Sequence, residues 1–378
     1  MTYNLIMPGL YVHIPFCIRK CHYCDFVIAP ADSPDGRAPF LTALDREASR
    51  LEPELEGTEF DTVYLGGGTP STLNAEEFEN LFKILRSRFH WKKEAEITCE
   101  VNPDDIDSDK ASLLKKLGVN RVSLGAQSFH DDTLKSLNRA HDAQAIESSF
   151  RLLREAGFAN INLDLILSLP GEGWERAQAS LEKLATLDPE HVSIYELSIE
   201  EKTVFGALHR QGKLRLPEED EQYEILSKAR KFLQERGWRH YELLNYSKPG
   251  RESRHNLLYW ANEDTVGLGP GAYAYYRGRR TRLTDSYSQY LAKTAAGDWK
   301  PLEDETLSEE KREVESFLLA LRLIEGAQAE RFASVLRQFE EEISDLTENG
   351  LLLNEAGRVK LTARGQFLAE TVFTELSC

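Results

Sequence analysis

Apolar positions in the first two hundred residues fall into short runs separated by amphipathic stretches, and this alternation predicts strands followed by helices. The strand-like runs are "LYVHIPF", "TVYLGGG", "EITCEVNP", "RVSLGAQSF", "INLDLILSLPG" and "HVSIYELS". Most are nearly continuous in apolar or β-branched residues, the pattern of a sheet covered on both faces. The helical stretches between them have legible ends. In "LNAEEFENLFKILRSRF", Asn74 stands as N-cap, Glu77 follows three residues later, and Leu73 and Phe78 are spaced as a hydrophobic staple. "SDKASLLKKLG" starts at Ser108 and stops at Gly118, and "DAQAIESSFRLLREAG" runs from Asp142 to Gly157. Strands alternating with helices in this way imply a parallel sheet in an α/β fold.

The residues that break the apolar pattern choose between two kinds of parallel sheet. Cys17 follows the first strand, Gly66, Gly67 and Gly68 end the second, Glu100 ends the third, Gln127 ends the fourth, and Asp164 lies within the fifth. They gather at the carboxyl edge. An open doubly wound sheet collects ligands at one switch point, whereas chemistry drawn from successive strand ends is the habit of barrels. A curled, incomplete barrel is therefore expected. From about Leu302 the pattern changes. A helical unit ends in "ENGLLLNEAGRVKLTARGQFLAETVF", where a helix, a hairpin centred on Asn354 to Gly357 and a final helix predict a winged-helix-like α+β unit. The expected division is a barrel core over 1–240, a linking segment over 241–300 and a C-terminal domain over 301–378.

Composition narrows the chemistry. The chain has 378 residues and a net charge of −17, which opposes nonspecific binding to nucleic acid. The start, "MTYNLIMPGL", lacks a basic region followed by a long apolar one, and no apolar run approaches the roughly 18 residues of a membrane span. A cytoplasmic protein without a transmembrane segment is expected, with peripheral membrane contact left open. Of five cysteines, Cys17, Cys21 and Cys24 fall within eight positions, in "HIPFCIRKCHYCDF". That spacing, in a reducing compartment, points to metal rather than disulfides; Cys99 and Cys378 read as incidental thiols. The motif offers three ligands where a zinc site or a cubane iron–sulfur cluster normally takes four.

Each remaining candidate has an ordinary reading: "GGGTP" as a tight turn, Glu100 as a solvated carboxylate, Gln127 as a loop partner and Arg139 as a surface cation. Asp164 is harder to dismiss, because it interrupts "INLDLILSL" in a buried strand and needs donors there; a ribose diol supplies two. Taken together they make a pocket for a small zwitterion bearing a nucleoside. A carboxylate or backbone carbonyl receives an ammonium, an arginine receives a carboxylate, and an aspartate holds the ribose hydroxyls. The inventory matches S-adenosylmethionine, whose amino and carboxylate groups would also chelate the iron left without a protein ligand.

At this point the chain resembles a known family. "CIRKCHYC" is similar to the cluster motif of the radical S-adenosylmethionine proteins. With "YVHIPFC", "YLGGGTPSTL", "EVNP", "RVSLGAQSF", "LNRAH" and "NLDLILSLPG" in register over about residues 8 to 275, it resembles the branch holding oxygen-independent coproporphyrinogen III oxidase and a heme-chaperone relative. The resemblance implies a partial (β/α)6 barrel in which Cys17, Cys21 and Cys24 hold a [4Fe–4S] cluster. It further implies that Tyr11 and Tyr23 flank the cofactor, that Gly67, Gly68 and Thr69 line its methionine moiety, and that Glu100, Gln127, Arg139 and Asp164 complete the S-adenosylmethionine site. A Cys₃His zinc knuckle using His13 or His22 would explain the cysteines but none of the other motifs.

Two features separate the relatives. In the oxidase the motif continues to a further cysteine, where this chain has Phe26 after Asp25, and an N-terminal extension precedes the cluster strand, whereas only ten residues precede Tyr11 here. In the other direction, "RHNLLYW" (Arg254 to Trp260) resembles the H-N-x-x-Y-W signature of the chaperone. The resemblance implies that the protein binds heme and passes it to an acceptor protein, with oxidative decarboxylation of coproporphyrinogen III as the alternative. His255 is the candidate heme ligand, with Asn256 fixing its tautomer, beside two aromatics and an arginine; simple packing is the competing reading. Arg277, Arg279, Arg280 and Arg282 in "AYAYYRGRRTRL" read as a solvated hairpin, or else as a patch for heme propionates or a partner's acidic surface. The acidic "EDETLSEEKREVE" opposes nucleic-acid binding by the C-terminal unit.

Overall fold

A computed structural model describes residues 8–32 and 36–377; residues 1–7, most of the start "MTYNLIMPGL", and Cys378 lie outside the described residues. Six parallel strands lie side by side in chain order: β1 (Gly9–Ile14), β2 (Glu59–Gly67), β3 (His90–Val101), β4 (Arg121–Gln127), β5 (Ile161–Leu167) and β6 (His191–Glu196). The crossovers carry helices α1 (Arg37–Leu51), α2 (Ala75–Arg88), α3 (Ser108–Lys116), α4 (Asp131–Ser136), α5 (Ala143–Glu155) and α6 (Trp174–Leu187). Right-handed crossovers that always step the same way put every helix on one face, so the other face curls on itself. A doubly wound sheet would reverse its strand order; this one does not.

Local chemistry agrees with that topology. Asn74 and Glu77 form a capping box at the start of α2, Asp107 caps α3 and Asp142 caps α5. Gly118 and Gly157, just past α3 and α5, adopt left-handed φ values of 92° and 85°, which end the helices at little steric cost. On the helix-facing side the strands bury Leu10, Val12, Val63, Leu65, Val122, Leu163 and Val192 against the helices. The opposite face is polar: Thr98, Ser123, Asn162, His191 and Ser193 are all buried there. The strands read as continuous apolar runs, but two-residue alternation places these polar positions together inside the curl.

Beyond β6, α7 (Val204–Arg210) and α8 (Glu219–Glu235) lead to β7 (Arg239–Glu242) and β8 (Asn245–Ser247), which pair antiparallel. Helix α9 (Arg254–Trp260) then carries the chain under the barrel to β9 (Thr265–Leu268), parallel to β1 on its free side. Antiparallel β10 (Tyr273–Tyr276), β11 (Arg279–Arg282) and β12 (Glu303–Thr306) extend that edge, with α10 (Tyr287–Ala296) between the last two. The twelve-stranded order is β12-β11-β10-β9-β1-β2-β3-β4-β5-β6-β8-β7. Segment 241–300 thus supplies strands to both flanks of the main sheet. The hairpin expected in "AYAYYRGRRTRL" is β10–β11, with Arg277 and Gly278 left-handed at its turn.

The C-terminal unit runs α11 (Glu309–Leu321), β13 (Ala327–Gln328), α12 (Ala333–Gln338), α13 (Glu340–Glu348), β14 (Leu352–Glu355), β15 (Arg358–Leu361), α14 (Ala363–Phe367) and α15 (Ala369–Glu375). The β14–β15 hairpin turns at Ala356 and Gly357, both left-handed, as the expected wing. Phe317, Leu321, Phe332, Ile343, Val359 and Val372 form a core of its own. It joins the barrel where Leu243 N donates to Arg322 O (3.0 Å) and Ile324 N to Tyr241 O (3.1 Å).

Candidate cofactor site

The cysteine loop leaves the carboxyl end of β1 and is pinched at its root, where Ala29 N donates to Pro15 O (2.6 Å) and Ala31 N to Cys17 O (2.9 Å). Further along, His22 N donates to Leu137 O (3.1 Å), Asn138 Nδ2 to Lys20 O (2.9 Å) and Phe205 N to His22 O (2.9 Å). The ends of α4 and α7 therefore hold the loop over the barrel mouth. Cys17, Cys21 and Cys24 are half-buried free thiols. Cys17 Sγ lies 3.5 Å from Thr69 Oγ1, and Arg139 Nη1 donates to Cys21 Sγ at 3.4 Å. Burial pushes the Cys17 thiol up to about 11 and raises Cys24 as well.

The donor set fits an iron–sulfur cluster better than a single zinc. Among the described residues no three His, Cys, Asp or Glu side chains stand ready around one ion. Thiolates that bind separate irons of one cluster stand further apart than thiolates sharing one metal. His13 is committed: its Nδ1 accepts from Tyr11 Oη (3.1 Å) while Nε2 donates to Val27 O (2.8 Å). His22 gives its Nδ1 proton to Ser136 O (2.9 Å). Three half-buried thiols at this loop would suit a cluster that leaves one position open to a small molecule.

The glycine turn after β2 packs against the root of this loop. Gly67 has φ 109°, and a Cβ there would come within 2.6 Å of the His13 ring; a Cβ on Gly68 would meet Phe16 O at 2.8 Å. Thr69 follows, and a polar chain spreads from it. Asn102 Nδ2 donates to Thr69 Oγ1 (3.1 Å), and Arg139 Nη2 donates to Asn102 Oδ1 (2.6 Å) and Gly125 O (3.1 Å). Gln127 sits left-handed (φ 65°) at a bulge in β4, with its amide nitrogen beside Gly125. Thr69, Asn102, Arg139 and Gln127 therefore form one continuous wall ending on the Cys17 and Cys21 sulfurs.

Two carboxylates face the interior. Glu100 accepts from Tyr64 Oη (2.8 Å) and Gly67 N (3.2 Å), and burial pushes its carboxyl up to about 7. Asp164 accepts from Ser123 Oγ (3.0 Å) and Asn162 Nδ2 (2.8 Å), and burial raises it too. Ser193 stands beside the carboxylate as a further donor. Tyr11 packs beside Tyr64, with ring centroids 6.1 Å apart. Tyr23 packs with Leu137, Ile166, Leu169, Leu197 and Phe205 on the loop's inner side. Sequence reasoning assigned no role to Tyr64, Asn102, Ser123 or Asn162. Their signal was present: each is a polar residue two positions from another candidate, or inside a quoted motif, on the face turned inward.

His255 occupies a different setting from the one expected. It is 1% exposed, with Nδ1 2.6 Å from Thr62 Oγ1 and Nε2 3.0 Å from Tyr259 Oη. Burial, then Arg121, lowers its pKa to about 3, so the ring is neutral but has no open nitrogen in this arrangement. Thr62 and Tyr259, rather than Asn256, fix the ring. Arg254 pairs with Asp61 at 3.2 Å. The hairpin arginines are also paired: Arg279 with Asp304 (2.7 Å), Arg280 with Glu315, and Arg282 with Glu303. The strand that follows in "EDET" neutralises much of the patch.

Next to the site lies a cavity of about 640 Å³. Tyr11 and His13 of β1 and Phe26 of the cysteine loop form one side, Tyr259, Tyr273 and Tyr275 another, and Arg280, Arg282 and Leu319 the rim. Phe26 is 66% exposed. The residue standing where the oxidase motif has a cysteine thus walls this cavity.

Comparison with known proteins fits these observations. Residues 11–184 match the Radical SAM superfamily model. The heme chaperone HemW of Bacillus subtilis (strain 168) is 35% identical over 97% of this chain and 98% of its own length. HemW of Lactococcus lactis subsp. lactis (strain IL1403) is 36% identical over 96% and 95%. Among solved structures, coproporphyrinogen III oxidase (HemN) from Escherichia coli superposes with a TM-score of 0.87 at 24% identity, covering 99% of this chain and 91% of that one. That likeness shows the same fold. With the cysteine loop, the glycine turn and the full-length matches together, the chain belongs to the heme chaperone HemW family of the radical SAM superfamily.

Proposed function

We propose that the protein binds heme in the 640 Å³ cavity and passes it to an acceptor protein, with a [4Fe–4S] cluster and S-adenosylmethionine held in the adjoining barrel mouth. The observation that carries this reading is the shared wall: Tyr11, His13 and Phe26 belong both to the cofactor site or its loop and to a cavity of ligand size. Its tyrosines offer flat apolar faces to a porphyrin, and Arg280 and Arg282 stand at the rim where carboxylates would lie.

Cys17, Cys21 and Cys24 would hold the cluster, which supplies an open iron and a one-electron donor when bound. Glu100 receives the ammonium of S-adenosylmethionine, Arg139 orients its carboxylate side through Asn102 and Thr69, and Asp164 takes the ribose hydroxyls. Gln127 closes the wall between them. Tyr23 and the α4 and α7 anchors keep water and loop motion away from the thiols. His255 supports the floor of the cavity through Tyr259; ligation of iron by its ring would require the hydrogen bond at the ligating nitrogen to break. The C-terminal unit has a winged-helix order, but α13 begins with Glu340, Glu341 and Glu342, which supports a role away from nucleic acid. No helix among the described residues is long and apolar enough to cross a membrane.

The test is heme titration followed by the Soret band, then incubation of the loaded protein with an apo heme protein. Saturable binding and transfer are expected. An absence of saturable binding, or many turnovers of protoporphyrinogen formation from coproporphyrinogen III with reductant and S-adenosylmethionine, would overturn the proposal.

A further inference from the structure

The barrel interior holds a buried polar chain that the cofactor site does not use directly. Asn162 Nδ2 donates to Asp164 Oδ1 (2.8 Å) and Ser123 Oγ (2.7 Å). Its Oδ1 is therefore the accepting end, and it meets His191 Nδ1 at 2.7 Å and Ser193 Oγ at 3.2 Å. His191 Nε2 lies 2.8 Å from Tyr241 Oη, and Tyr241 Oη accepts the backbone N–H of Ser253 at 3.2 Å. Ser253 is the N-cap of α9, its side chain accepting from Asn256 N. Asn162, His191 and Ser253 are almost wholly inaccessible to water.

The direction of every bond in this chain is fixed by its ends. A carboxylate only accepts and a backbone N–H only donates. His191 is neutral, held well below its ordinary value by burial and by Arg121, so it carries one ring proton. If that proton were on Nε2, the Nδ1 lone pair would face Asn162 Oδ1 and the Tyr241 hydroxyl would lose its acceptor. With the proton on Nδ1, each member donates toward Asp164 and none is left unpaired.

We propose that Asn162, His191 and Tyr241 are positioning residues that aim the Asp164 carboxylate at a ribose diol, and that the aim is anchored on the cap of α9. The inference rests on the reading that Asp164 receives the ribose of S-adenosylmethionine. Removing the Tyr241 hydroxyl leaves the His191 Nδ1–H on Asn162 and unpairs only the Nε2 lone pair. Removing the imidazole takes away the donor that holds the Asn162 oxygen, and the amide then turns over, presents that oxygen to Asp164 and displaces the carboxylate from the diol.

Calorimetry on cluster-loaded protein tests this with S-adenosylhomocysteine and its 2′,3′-dideoxy analogue. Wild type should prefer the diol form at least tenfold. In His191→Leu that preference should fall below threefold, while affinity for the dideoxy analogue changes less than twofold; Tyr241→Phe, which leaves the Nδ1–H donor in place, should stay above threefold. A merely structural loosening would weaken both ligands alike; that result, or an unchanged preference in His191→Leu, overturns the relay. His191→Gln set against His191→Leu decides whether the donor itself matters. Gln keeps a donor toward Asn162 and an acceptor toward Tyr241, so it should retain the preference that Leu loses, and equal preference in the two overturns the proposal. Wild type that binds both ligands equally would instead remove Asp164 as the ribose partner, and the relay with it.

Discussion

Asp164 interrupts an apolar strand, and its environment explains how the carboxyl is tolerated: Ser123 and Asn162 donate to it, with Ser193 beside them. Replacing it with Ala should remove a charge-assisted pair worth about 1.5–3 kcal/mol, which calorimetry would read as a ten- to hundredfold loss of S-adenosylmethionine affinity. Gly67 makes a second residue-level prediction. Its φ of 109° and the 2.6 Å approach to the His13 ring leave no room for a methyl group. Gly67→Ala should cost about 1–3 kcal/mol in thermal or denaturant unfolding and should disturb the Gly67 N–H that Glu100 accepts. At this scale the sequence was readable wherever an odd residue interrupted a strand. It was unreadable for His255, because neither spacing nor composition tells whether an imidazole beside aromatics opens to a cavity or is spent on Thr62 and Tyr259.

Among the elements, the joint between α1, α10 and the end of β9 depends on one buried acid. Glu47 accepts from Tyr290 Oη (2.7 Å) and Gly269 N (2.8 Å), and burial pushes its carboxyl up to about 7. In the unfolded chain the same group loses its proton near 4.5. Between those values the folded state binds more protons than the unfolded one, so stability contributed by this group is greatest below pH 4.5 and declines as pH rises toward 7. The total is on the order of 3 kcal/mol. Glu47→Gln, which keeps an acceptor for Tyr290, should flatten that part of the pH profile in urea unfolding; an unchanged slope would show that Glu47 is already ionised in the fold. The six barrel strands were legible because crossover helices carry caps such as Asn74 and Asp142. Strand β9 was not, since "TVGL" is four residues long and becomes a strand only by pairing with β1, more than two hundred residues earlier.

The whole molecule places its cavity between parts that are distant in the chain: β1 and the cysteine loop on one side, α9 and the β10–β11 hairpin on another, and Leu319 and Glu315 of α11 at the rim. No local pattern announces such a cavity, because it exists only once the hairpin and the C-terminal unit have docked. The arginines at its edge, visible in "RGRRTRL", read as a solvated hairpin or else a patch for propionates or a partner, and nothing local showed that the fold brings Glu303 and Glu315 against Arg282 and Arg280. These carboxylates compete with any carboxylate on a bound molecule. A half-exposed ion pair of this kind is worth about 0.5–1 kcal/mol, so Glu315→Gln, which leaves Arg280 less neutralised, should tighten heme binding by about two- to fivefold. The gain should shrink at high salt, as expected for partly exposed charges. Heme dimethyl ester supplies the control, because it keeps the porphyrin face and loses the propionate charge. Its affinity should be the same for wild type and Glu315→Gln. An equal gain for the ester would mean that the substitution acts by widening the cavity, and would remove Arg280 as a propionate partner.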